Sequence, residues 1–212
     1  MLEVTEIYKS VQGESTYTGL PCVFVRLTGC NLRCVWCDTA YAFYGGQKLS
    51  INQILDRVES FGIGLVEITG GEPLLQKEVV PLMKSLLQKK FQVMLETSGS
   101  LSVKDVPNEV IKIIDLKCPG SGEEDKNYWD NLNLLAPTDE IKFVIADRAD
   151  YEWSRSVLKK YGLAQKNYVL FSPVFGKLNL KDLAKWILAD NLPVRLQTQL
   201  HKHIWKKNAT GV

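Results

Sequence analysis

Cys30, Cys34 and Cys37 stand in the run CNLRCVWC, a C-x3-C-x2-C spacing that directly follows the apolar stretch VFVRLTG. Three thiolates on one short loop can hold three irons of a cubane 4Fe–4S cluster, and the close fourth cysteine that an electron-transfer ferredoxin would supply is missing. The fourth iron is therefore open to bind something that reacts, which separates a catalyst from an electron wire. The fold is constrained as well: the loop leaves an apolar strand, so the reactive centre belongs at that strand's end. A zinc site is the rival for the same thiols. Zinc needs a fourth ligand, yet the two histidines, His201 and His203, lie far away in sequence and no second C-x-x-C unit exists.

Two further cysteines remain. Cys22, in an apolar run, reads as a small core residue. Cys118, in DLKCPGSG at a strand end, is not expected to bind the cluster. Cys30, Cys34 and Cys37 lie too close together to suggest a disulfide framework in a reducing cell.

Apolar runs of strand type alternate with runs of helical period along the chain. The strands expected are 22–29, 65–71, 91–99, 110–118, 140–146, 168–175 and 194–200. Between them INQILDRVESF, VVPLMKSLLQKK, YEWSRSVLKKYG and LKDLAKWILADN carry apolar residues at helical spacing, with Ser50 and Asn179 as N-caps. This rhythm implies βα units and a mostly parallel sheet. A closed barrel of eight units needs about 250 residues. The chain has 212 and spends its first stretch, through EIYKSVQGESTYTGLP, on something else. The expectation is therefore one α/β domain over 1–212, an incomplete, open βα barrel. Chemistry collects at the C-terminal strand ends of such sheets. The unusual residues fall there: 28–37, 70–73, 96–99, 117–122 and 172–173.

A formal net charge of +2 gives no electrostatic case for nucleic acid as the partner. The N-terminal sequence MLEVTEIYKS lacks a secretory pattern, and no apolar run approaches the roughly 18 residues of a membrane span. The expected compartment is the cytoplasm, with no membrane partner.

The run ITGGEPLL ends a strand in Gly70 and Gly71, where backbone can approach a ligand without Cβ obstruction. Alone, it is a turn before a helix. Beside the cysteine triplet, the carbonyls of Gly70 and Gly71 and the acid Glu72 could meet the ammonium of an S-adenosylmethionine chelated to the open iron. Trp36, between Cys34 and Cys37, is either a core aromatic or a stacking partner for its adenine.

The order of these motifs, C-x3-C-x-aromatic-C after one strand and GGEP after the next, resembles the radical S-adenosylmethionine superfamily. EIYKSVQGEST, LETSG, DLKCPGSG and QLHKHIW extend the likeness from about residue 5 to the chain's end. Together they are similar to the 7-carboxy-7-deazaguanine synthase family of queuosine and 7-deazapurine biosynthesis. The resemblance implies a lyase that converts 6-carboxy-5,6,7,8-tetrahydropterin to 7-carboxy-7-deazaguanine with loss of ammonia. Hydrogen abstraction at C6 by an adenosyl radical starts the ring contraction, and S-adenosylmethionine is regenerated.

The resemblance also assigns residues. Gln12, Gly13, Glu14, Arg26 and Gly71 would bind the pterin, and Gln199 and His201 would close its pocket. An Arg fork suits the substrate's carboxylate, and a carboxylate suits its guanidine-like edge. The competing readings are a surface loop for Gln12 and Glu14, a salt-bridged strand-end arginine for Arg26 and a structural histidine for His201. Glu96, Ser98 and Lys117 would join Trp36, Gly70, Gly71 and Glu72 on S-adenosylmethionine. Thr39 would ligate Mg2+, an ion that prefers oxygen and keeps waters; its competing reading is a turn cap. The segments about 1–21 and 194–212 would bind substrate and close the pocket. A flavodoxin or ferredoxin would donate the electron, and the chain would form a homodimer. The family often carries a basic residue before a final Gly-Val, where this chain has Thr210. A glycyl-radical activase of the same superfamily is the alternative enzyme, and a zinc-binding module the alternative outside it.

Overall fold

The computed structural model describes residues 1–206 and 209–211; Val212, last residue of the tail, lies outside the described residues. Among the described residues nine strands form one sheet: β1 (Leu2–Val11), β2 (Pro21–Leu27), β3 (Gln47–Leu49), β4 (Leu65–Gly70), β5 (Gln92–Thr97), β6 (Ile111–Leu116), β7 (Glu140–Ile145), β8 (Tyr168–Pro173) and β9 (Arg195–Leu196). Their order is β3-β1-β2-β4-β5-β6-β7-β8-β9. From β2 to β9 every neighbour is parallel and follows in chain order, while β1 runs antiparallel to both β2 and β3. This is the expected open, mostly parallel sheet.

The four expected helices form as α1 (Ile51–Ser60), α2 (Val79–Gln88), α3 (Arg148–Tyr161) and α4 (Leu180–Ala189). Ser50 and Gln53 make a reciprocal capping box on α1, and Asn179 caps α4. All four pack on one face of the sheet. Ile54, Leu82, Tyr151 and Leu183 share a core with Val25, Ile68, Leu95, Ile114, Ile141 and Phe171. The opposite face of the strands carries a smaller apolar cluster, Cys22, Phe24, Leu65, Met94, Ile111 and Ile113. Above this second cluster the strands turn polar, and the site begins.

Two expectations need correction, and the two crossovers in which the sequence offers no helical run have none. The N-terminal stretch contains a strand, β1, of which only Leu2 and Val4 are buried. The rest of β1 is half exposed, which dilutes the alternating signal. A bulge between Val4 and Glu6 then shifts its register on β2. The strand expected over 194–200 shrinks to Arg195–Leu196, because the chain leaves the sheet edge to form a short helix, α5 (His201–Ile204). No α-helix separates β5 from β6 or β6 from β7. Loops with 3-10 turns replace them, pinned by Asn131, whose Nδ2 donates to the Leu101 carbonyl at 2.9 Å, and Asn127, whose Oδ1 accepts from the Lys117 N–H at 2.8 Å.

Candidate active site

The cysteine loop leaves β2 and is stitched down on both sides. Gly29 donates to the Ala42 carbonyl at 2.8 Å, Glu72 donates to the Gly29 carbonyl at 2.8 Å, and Val35 donates to the Ser121 carbonyl at 3.0 Å. The double-glycine turn after β4 lies against it so closely that a Cβ on Gly71 would come 2.3 Å from the Gly29 carbonyl oxygen and 2.6 Å from the Cys30 Cβ. Gly71 is thus required by packing on the cysteine loop as well as by any ligand. Cys30 and Cys34 are half-buried and Cys37 is exposed; all are free thiols and all line one cavity of about 740 Å³. Burial pushes the Cys30 and Cys34 thiols above their usual range. Among the described residues no three Cys, His, Asp or Glu side chains converge tightly enough for a single metal ion. Three soft donors spread along one loop and facing one cavity match the ligand set of a cluster with an open iron.

Of the sequence-derived site residues, Gln12, Gly13, Glu14, Arg26, Trp36, Thr39, Gly70, Gly71, Glu96, Ser98, Lys117, Gln199 and His201 all line this cavity. Glu72 does not. Its carboxylate is fully buried and accepts from Thr97 Oγ1 at 2.8 Å, Ser98 N–H at 2.8 Å, Ser98 Oγ at 2.6 Å and Leu74 N–H at 3.0 Å. With its lone pairs taken, Glu72 locks the turn after β4 to the end of β5. Gln76, one turn on, donates to the carbonyls of Glu3 and Thr28 at 2.8 and 3.0 Å and ties β1 to the same rim.

The two chain ends meet over the cavity. Leu200 donates to the Gly13 carbonyl at 2.9 Å, and Gln199 Nε2 donates to Glu14 Oε1 at 2.9 Å and Asp38 Oδ2 at 3.1 Å. A Cβ on Gly13 would stand 2.1 Å from His201 Nδ1, so the imidazole lies directly on that glycine. Burial lowers the His201 pKa, favouring neutral imidazole, although Glu14 opposes it. Packing raises the cost of charge on Asp38, but Lys202, Gln199 and Thr39 hold its carboxyl well below the usual range. Thr39 Oγ1 donates to Asp38 Oδ1 at 3.0 Å; the residue precedes a 3-10 turn and makes no side-chain cap.

Arg26 is a salt-bridged strand arginine that also faces the cavity. Register places it opposite Glu6, to which its Nε donates at 2.8 Å, and its Nη2 donates to Tyr8 Oη at 2.9 Å; yet it lines the cavity. Gln12 is buried, its Oε1 accepting from the Glu14 N–H at 3.0 Å and its Nε2 donating to Glu67.

The floor holds residues the sequence reading missed. Lys142, on β7, is buried and bonds Glu14 Oε2 at 3.0 Å and Glu96, with Asp115 Oδ2 at 3.8 Å. Burial opposes its charge, but these acids hold its pKa well above the usual range. The Lys142 ammonium and the hydrogen bond from Gln199 hold Glu14 below its own range in turn, again against burial. Lys117 bonds Asp115 Oδ2 at 2.9 Å, and Asp115 Oδ1 is buried without a partner among the described residues. A signal did exist: Lys142 and Glu67 place a charge inside the buried central strands EIKFVI and LVEITG, each between apolar neighbours. A charged residue there needs partners across the sheet or a ligand.

The cavity therefore joins a thiol-lined rim, a glycine turn that leaves backbone accessible, and an acid-rich floor organised by lysines. A family model, the Radical SAM superfamily, matches residues 24–188. The chain is similar to a 7-carboxy-7-deazaguanine synthase of Koribacter versatilis, 50% identical over all of both chains. It is also similar to a 7-carboxy-7-deazaguanine synthase of Chlorobaculum tepidum, 45% identical over all of this chain and 97% of that one. Its fold matches the crystal structure of QueE from Escherichia coli with a TM-score of 0.76 at 24% identity, covering 94% of each chain.

Proposed function

Given that the chain belongs to the radical S-adenosylmethionine superfamily and, within it, to the 7-carboxy-7-deazaguanine synthases, we propose that it converts 6-carboxy-5,6,7,8-tetrahydropterin to 7-carboxy-7-deazaguanine with loss of ammonia, on the route to queuosine and related 7-deazapurines. The observation that carries this reading is a single cavity shared by the three thiols, the double-glycine turn and the Gln12–Gly13–Glu14 wall. When bound, the cluster and S-adenosylmethionine supply the one-electron chemistry that abstracts hydrogen from substrate carbon.

The chain's residues hold and shield the reactants. Cys30, Cys34 and Cys37 would ligate the cluster. The carbonyls of Gly70 and Gly71, with Trp36, Glu96, Ser98 and Lys117, would hold S-adenosylmethionine. Arg26, fixed by Glu6 and Tyr8, would direct its remaining N–H groups at the pterin's carboxylate, and Glu14 would accept from its guanidine-like edge. Gln199 and His201 would close the pocket, and the oxygens of Thr39 and Asp38 suit Mg2+. The closure by both chain ends favours a small substrate over the protein partner an activase needs, because such a partner requires an open face. The full-length likeness to synthases also counts against the zinc-binding module. Among the described residues no helix is long and apolar enough to cross a membrane. We further assign a single domain, a homodimer, a cytoplasmic setting and a flavodoxin or ferredoxin as electron donor.

The test is anaerobic reconstitution with iron and sulfide, then dithionite, Mg2+, S-adenosylmethionine and the pterin. The expected outcome is 7-carboxy-7-deazaguanine without matching build-up of 5′-deoxyadenosine. Accumulated 5′-deoxyadenosine with no deazapurine removes the pterin and brings the activase forward. Substituting Cys30, Cys34 or Cys37 with Ala should abolish iron loading. Normal iron in all three variants removes the cluster assignment.

A further inference from the structure

Glu67 projects from β4 into the cavity floor, in register with Phe24 on one side and Met94 on the other. It is 3% exposed and lines the cavity. Gln12 and Glu14 face it from the N-terminal loop, Glu96 from β5 and Lys142 from β7; Tyr8 of β1 and Cys22 of β2 lie nearby. The ammonium of Lys142 is committed to Glu14 and Glu96, and that of Lys117 to Asp115. Among the described residues Glu67 has no cation in contact, and its one hydrogen bond comes from Gln12 Nε2 to Oε2. A carboxylate buried beside other carboxylates and left without a cation is expelled from its charged form. Burial, then the charge of Glu96, push the Glu67 carboxyl well above the usual range, against the hydrogen bond from Gln12. Because Oε2 already accepts, the proton belongs on Oε1.

A pterin presents mixed edges. Its ring N–H and exocyclic amine donate, and Glu14 would accept from them. Its ring carbonyl and ring nitrogens accept, and the floor's donors already serve acids: a Gln12 amide N–H donates to Glu67 and the Lys142 ammonium to Glu14 and Glu96. We propose that Glu67 is a substrate-binding residue that meets the pterin as a neutral carboxylic acid, Oε1–H donating to an acceptor of the pyrimidinone ring. The contact rests on the pterin reading above; the neutrality of Glu67 does not.

The first test needs no substrate. Infrared spectra of the full-length, cluster-loaded protein near neutral pH should show a protonated-carboxyl C=O band that is absent from Glu67→Gln. If no band depends on Glu67, the inference is overturned while the pterin reading stands. The second test uses turnover. Glu67→Ala should raise KM for the pterin roughly ten- to hundred-fold, the cost of leaving a buried acceptor unpaired, with a smaller change in kcat. Glu67→Gln, whose amide N–H can replace the hydroxyl, should recover most of that loss. In the parent enzyme KM should rise as pH climbs through the raised Glu67 pKa, and this rise should vanish in Glu67→Gln. An unchanged KM in Glu67→Ala overturns the contact. If the parent does not turn over the pterin at all, the proposed function falls and the contact with it, while the infrared band still decides the neutral acid.

Discussion

Two buried lysines on neighbouring strands are answered in opposite ways. Lys112, on β6, meets Asp139 at 3.0 Å and donates to the Val110 carbonyl at 3.1 Å. The same carboxylate accepts from the N–H groups of Lys112 and Ala136 at 2.8 and 2.7 Å. One charge meets one countercharge, and the surrounding donors and acceptors are used. Lys142, on β7, stands among Glu14, Glu96 and Asp115 with Glu67 close by, and one oxygen of Asp115 is left without a partner among the described residues. The balanced pair serves the fold. The acid-rich group, open to a cavity, suits a ligand that brings N–H donors of its own. Glu72 belongs with the first kind: conspicuous in sequence, yet saturated by Thr97, Ser98 and Leu74.

The sharpest way to break this distinction is to remove the countercharge at each place. Asp139→Ala leaves the buried Lys112 ammonium without its countercharge and two backbone N–H groups without their acceptor. Stability should fall by about 3–5 kcal/mol in urea unfolding, while the folded fraction keeps its iron and its pterin KM. A loss below about 1 kcal/mol would mean the closed pair is not structural. Lys142→Met should act the other way round. The stranded acids can take up protons or water through the cavity, so stability should change by only about 1–2 kcal/mol. KM for the pterin should rise roughly a hundredfold, because Glu14 loses the cation that positions it. Equal damage to stability and KM in both variants would erase the difference.

That difference also marks where the sequence is legible. Residues whose role is local could be read directly: the cysteine spacing, the glycine turn, the Ser50 and Asn179 caps and the four helical faces. The layout at strand ends followed from the parallel sheet, and it gathered every expected site residue except Glu72 at one cavity. What could not be read is pairing across the sheet. Lys112 and Lys142 both sit in apolar strands, and nothing local distinguishes them; only register shows that one meets a single acid and the other several. Glu72 was read as a ligand because its motif suggests it, and only β5, twenty-five residues on, reveals what fills its lone pairs. Strand β1 escaped because most of it is only half-buried, where no strict apolar period is imposed.

A smaller effect tests the closure of the cavity instead of its floor. Gly13→Ala places a methyl where His201 Nδ1 stands, 2.1 Å from the ideal Cβ position. The methyl cannot share that space, so His201 and the Leu200 bond to the Gly13 carbonyl must shift. Overpacking of this size costs about 1–3 kcal/mol, and here it falls on a short terminal segment that can move away. KM should rise about tenfold, within that range, while the urea midpoint barely changes. A midpoint shift as large as that of Asp139→Ala would make the terminal contact part of the core.

The mildest change is expected at Thr39. Its hydroxyl donates to Asp38 and makes no side-chain cap, so Thr39→Ala should cost the fold no more than about 0.5 kcal/mol. Asp38 stays ionised through Lys202 and Gln199 whether or not Thr39 helps, so the acid beside the proposed metal survives the substitution. Magnesium keeps several waters and tolerates the replacement of one neutral oxygen by another. Half-saturation by Mg2+ should therefore move severalfold toward higher concentration, with turnover at saturating Mg2+ largely kept. An Mg2+ titration superimposable on that of the parent would take Thr39 out of the metal site and leave Asp38 as the sole acid there to test.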